Sequence, residues 1–196
     1  MKVTTGGRGR AATGICLCVA ALLAPLPVAG QTAVSFGGGF GGFAGSDFAG
    51  TPAGLTMGGA LHLAMEDHPA EVSFGIDHSS YGGHGFVGAT RQLDYSAALR
   101  MQVAARPALV AGIRFGYSTR SLSVVEEPAR TEGMIVGPTL SLRVPTGLGP
   151  FVETSLDALY VSYEELIMHG GREYGTDQDG FRGVLRVGVW MPLGDG

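Results

Sequence analysis

The chain has 196 residues, with 13 Lys and Arg, 17 Asp and Glu, and a formal net charge of −4. That acidic balance argues against nucleic acid as a partner. The 34 glycines lie between apolar, patterned runs, which excludes a disordered low-complexity chain.

The first 30 residues read as an export signal. Lys2, Arg8 and Arg10 form a positive start, Ile15 to Leu26 an apolar stretch broken by Pro25, and Val28-Ala29-Gly30 a small-residue cleavage site before Gln31. The stretch is short for a spanning helix, and no later apolar run reaches that length. Cys16 and Cys18, the two cysteines, both lie inside it, so a processed chain of residues 31–196 has no thiol chemistry. Cleavage also removes three basic residues, leaving 10 against 17 acids and a formal charge of −7.

From there, eight alternating segments follow, at about 33–43, 55–66, 71–81, 91–104, 109–120, 133–144, 151–163 and 181–191. The fourth has the clearest pattern: Leu93, Tyr95, Ala97, Leu99, Met101 and Val103 share one parity, and Gln92, Asp94, Ser96, Arg100 and Gln102 the other. Its length matters, because about ten alternating residues cross a membrane whereas an ordinary strand is about half as long. Short turn-like connections at 67–70, 105–107 and 145–150 alternate with longer polar ones near 44–54, 82–90, 121–132 and 164–180. Short periplasmic turns, longer extracellular loops and an even strand number predict an all-β, eight-stranded antiparallel up-and-down transmembrane barrel.

The two faces differ sharply. One parity collects Leu55, Met57, Leu61, Phe74, Ile76, Ile113, Met134, Leu140, Leu156, Phe181 and Leu185 without a charge. The other carries Glu66, Glu71, Asp77, Asp94, Glu153 and Asp157 with Arg100, Arg114, Arg120, Arg143, Arg182 and Arg186, among Ser, Thr, Gly and Ala. Six acids against six arginines is the balance of a narrow lumen, where unpaired charges are costly. Arg100, Arg114, Asp94 and Glu153 are expected in one buried network. A soluble periplasmic ligand-binding barrel remains an alternative, with the apolar parity inside.

On these features the chain resembles, over about residues 31–193, the small eight-stranded outer-membrane barrels of the OmpA/OmpX type. The resemblance implies a bacterial outer-membrane location, with membrane lipid, the barrel-assembly machinery and an extracellular ligand as partners, and a non-enzymatic structural, adhesion or surface-interaction role. Such chains commonly end on an aromatic residue belonging to the insertion signal; here Trp190-Met191-Pro192-Leu193 precedes Gly-Asp-Gly. Eight strands leave an interior that side chains can fill, so a general diffusion pore is not expected.

Other features carry less chemistry. The G-x-G-x-x-G match in Phe36 to Phe43 has no strand–loop–helix context and reads as a glycine-lined strand. Glu164, Glu165, His169, Glu173, Asp177 and Asp179 lack calcium-loop spacing, and His62 has no second ligand at metal spacing, so no metal or cofactor is expected. His78-Ser79-Ser80 resembles the H-x-S motif of outer-membrane lipid A deacylases, whose His acts as general base and Ser as nucleophile. Those enzymes continue with Asn where this chain has Tyr81, and no acid to orient His78 is evident.

Overall fold

The computed structural model describes residues 32–46, 53–65, 68–82, 87–105, 107–124, 128–168, 173–174 and 178–193. Residues 1–30, expected to be an export signal, and Glu66 lie outside the described residues. The strands are β1 (Thr32–Ser46), β2 (Ala53–Met65), β3 (Ala70–Tyr81), β4 (Val87–Ala105), β5 (Ala108–Val124), β6 (Pro128–Pro145), β7 (Phe151–Met168), a two-residue β8 (Glu173–Tyr174) and β9 (Gln178–Leu193). All pairings are antiparallel; β1 to β7 each pair with the next strand, β7 pairs with β9, and β9 closes on β1 from Val34↔Leu193 to Ser46↔Phe181. Closure leaves β1 to β7 and β9 with a partner on both sides, which is the condition for a sheet to enter lipid. β8 only adds two residues to the extracellular end of β7.

The long strands follow from unlike faces. A register slip by one residue would turn every charge outward, so alternation fixes which neighbour each residue meets. Phe40, Leu55 and Phe181 are 74%, 72% and 67% exposed on the outer wall, while Asp157, Asp94 and Glu153 are buried within. A continuous apolar wall around a charged interior rules out the soluble barrel with its apolar parity inside, because so large a patch does not face water in a monomer.

Two expectations change. The connections expected near 121–132 and 164–180 are mostly strand: β5 and β6 pair as far as Ser123↔Pro128, and β6 and β7 as far as Ala129↔Met168. Backbone pairing continues above the membrane because a hairpin needs no apolar face to satisfy its N–H and C=O groups. The lumen parity also carries large apolar side chains. Phe43, Ile135, Leu159, Val161, Tyr163 and Val184 are buried together between β1, β6, β7 and β9.

At the periplasmic end the chain turns tightly. His68 N–H donates to the Met65 carbonyl (3.2 Å), and both the N–H and the hydroxyl of Thr146 donate to the Pro150 carbonyl (3.1 and 2.6 Å). Gly147 and Gly149, at φ 78° and 98°, make the second turn possible.

Candidate functional site

The lumen holds its charges in three stacked clusters. Nearest the periplasm, Arg100 Nη1 meets Glu153 (2.7 Å), Arg143 donates to both carboxylate oxygens of Glu71 (2.6 and 2.7 Å), and Arg143 Nε meets Glu153 (2.7 Å). Arg100 also reaches Glu71 and the Nδ1 of His62. The His62 ring stands edge-on to Trp190, with centroids 4.2 Å apart, which seals this level.

In the middle cluster two arginines share two aspartates. Arg114 meets Asp157 at 2.6 Å and also pairs with Asp77; Arg186 meets Asp77 at 2.5 Å and also pairs with Asp157. The third cluster lies towards the cell exterior. There Arg182 meets Asp94 (2.5 Å), and Gln92 donates to Asp94 (2.8 Å) and Ser118 (2.9 Å). Arg120 lies 4.3 Å over the ring of Tyr163, which belongs to the apolar cluster.

The register explains this separation. Asp77 and Asp94 face each other directly across β3 and β4, a repulsive arrangement that requires each to find its own cation. Asp77 takes Arg114 and Arg186, and Asp94 takes Arg182. The single network expected from parity therefore divides: Arg100 and Glu153 share the first cluster, Arg114 lies in the second, and Asp94 in the third. Between the side chains lies a cavity of about 60 Å3, bordered by His62, Asp77, Arg100, Arg114, Asp157 and Arg186, with room for a few water molecules. This is a packed lumen.

His78 and Ser80 sit elsewhere, exposed on the outer wall of β3. Across the strands His78 is opposite Met57 and Leu93, while Asp77, its neighbour in sequence, points into the lumen. Among the described residues neither side chain has a carboxylate or another hydrogen-bond partner. A base without an orienting group does not complete a nucleophilic triad.

With the closed eight-stranded wall, its apolar exterior and its filled interior established, comparison with solved structures decides the architecture. Neisserial surface protein A superimposes with a TM-score of 0.63 at 8% identity, over 82% of this chain and 98% of that one. The chain has the fold of an outer-membrane β-barrel. Ail, the attachment invasion locus protein of Yersinia pestis, matches with a TM-score of 0.51 at 8% identity, over 82% of this chain and 99% of that one. Both are small eight-stranded outer-membrane barrels, and the outer-membrane barrel's location, the bacterial outer membrane, agrees with the apolar wall. No protein family matches the chain by sequence, and neither does any curated protein.

The sequence reading missed the apolar layer of Phe43, Ile135, Leu159, Val161, Tyr163 and Val184. The signal was present but weak: from Leu159 to Tyr163 both parities are largely apolar, so a period of two has no contrast to display. Trp190 was likewise visible only as part of a C-terminal signal, whereas its ring is buried against His62.

Proposed function

We propose that this chain is a non-enzymatic outer-membrane barrel whose closed body holds its extracellular hairpins at the cell surface for contact with an external ligand. The lumen is the observation that carries this reading. Among the described residues three charge clusters and an apolar layer fill it, which argues against solute passage and leaves the strand extensions above the membrane as the parts free to act. The paired stretches from Ser121↔Arg130 and Arg130↔Ile167 upward support the same view, since they project beyond the apolar wall as stiff hairpins. Two fold neighbours carry the words surface protein and attachment in their names, which agrees with a surface-interaction role.

In the same reading residues 1–30 are the cleaved export signal and 31–196 the barrel domain, inserted by the barrel-assembly machinery. The buried charges serve to close and stiffen the lumen. The test is attachment: cells displaying the protein should bind a surface or partner cell that cells lacking it do not, and cutting back the hairpins beyond Ser121↔Arg130 and Arg130↔Ile167 to short Gly-Ser links should abolish binding while leaving the barrel in the membrane. Equal attachment with and without those tips would overturn the proposal.

A further inference from the structure

The outer wall has a charge asymmetry that the lumen does not explain. On β6, Arg130 is exposed but paired with Glu132 (2.8 Å), and Glu132 also accepts from the Tyr117 hydroxyl. Arg91 on β4 is exposed as well, and among the described residues it has no partner. Along the outward parity of β2, β3, β4 and β5 the described residues include no acid at all.

The register surrounds Arg91 with donors. Ser80 of β3 lies directly opposite it on one side and Ser121 of β5 on the other. Such neighbours have Cβ atoms about 5 Å apart, and the next pair down remains within reach of a long side chain. That next pair is His78 and Thr119; the Thr119 hydroxyl is turned to the Leu93 carbonyl (3.4 Å), while among the described residues His78, Ser80 and Ser121 have no hydrogen-bond partner. One guanidinium, one imidazole and two hydroxyls thus converge on a small patch without a counter-ion.

The depth of the patch narrows its ligand. Directly below it on the same strands lie Ile76, Tyr95 and Tyr117, in register with one another, with Ile76 and Tyr95 exposed. Tyrosines at this position mark a membrane–water interface. A cation four residues beyond Tyr95 along β4 lies at headgroup level. The geometry points to a binding site for the phosphate of an outer-leaflet phosphorylated lipid, with Arg91 as its anchor and Ser80, Ser121 and His78 as added donors. Arginine suits the task because its planar fork pairs with two phosphate oxygens at once. The H-x-S pair then binds lipid without cleaving it. The inference needs only the barrel and its orientation, so it stands or falls apart from what the hairpins attach to.

Native mass spectrometry of the full barrel in detergent, titrated with diphosphoryl lipid A, tests it. Wild-type protein should retain one lipid. Arg91→Ala should weaken retention about tenfold or more, with Arg91→Lys intermediate, and Ser80→Ala, Ser121→Ala or His78→Ala about two- to fivefold. Arg130→Ala, already paired within the wall, should stay within about twofold of wild type. Lipid A stripped of its phosphates should be retained no better by wild type than by Arg91→Ala, and millimolar inorganic phosphate should not compete. Heat-shifted gel mobility verifies that each variant is folded. Retention unchanged in folded Arg91→Ala, equal binding of dephosphorylated lipid A, or displacement by inorganic phosphate would each overturn the proposal.

Discussion

At the scale of single residues, the energetics rest on charges that have lost their water. Arg114 is 6% exposed and lies between Asp77 and Asp157, so removing its guanidinium leaves two carboxylates to share Arg186. Breaking a buried pair from one side costs about 3–5 kcal/mol, because the remaining charge is uncompensated. Arg114→Met should lower the unfolding free energy in detergent by that amount, read from urea titration; a wild-type midpoint would show that water already reaches the pair. The outer wall predicts the opposite. His78→Ala and Ser80→Ala should leave both the fold and the acylation of the cell's lipid A unchanged, since among the described residues no acid orients His78. A mass loss of one acyl chain with wild-type protein, absent from both variants, would restore the hydrolase.

Strands impose a different constraint, which is close approach. On β1, a Cβ at Gly41 would stand 1.9 Å from the Leu185 carbonyl oxygen of β9, whereas one at Gly42 would meet nothing nearer than the Gly54 oxygen at 3.6 Å. The lumen-side glycine permits the tight coiling at the seam where the barrel closes. Gly41→Val should therefore reduce the yield of folded, heat-modifiable barrel much more than Gly42→Ala, and equal yields would remove the seam from the argument. Pro138 shows another accommodation: the β6–β7 ladder is broken between Val136↔Tyr160 and Thr139↔Asp157, where the proline has no N–H to give. Strand positions were legible in the sequence because β4 and β5 have unlike faces over more than ten residues. Their extracellular ends were not, since polar residues in a paired hairpin look the same as polar residues in a loop. The partners in the lumen were also hidden, because Arg114 of β5 meets Asp77 of β3 and Asp157 of β7 only once the stagger of the closed barrel is set.

The described residues form a filled barrel with an apolar outside, and its topology follows from the chain's own connections. Turns at 67–70 and 145–150 share one end, and the extended hairpins of β5, β6 and β7 the other. Protease added to intact cells should cut within 121–132 or 164–180 and spare 67–70 and 145–150; cleavage at the short turns would invert the orientation. The same filled interior predicts that purified protein in a planar bilayer gives no stepwise conductance of the porin kind. The central claim, that the apolar wall faces lipid, is tested most directly by fractionating cells and extracting the envelope with urea and then with detergent. The account predicts that the protein stays with the outer membrane through urea and leaves only in detergent; its full recovery in the aqueous periplasmic fraction would contradict it.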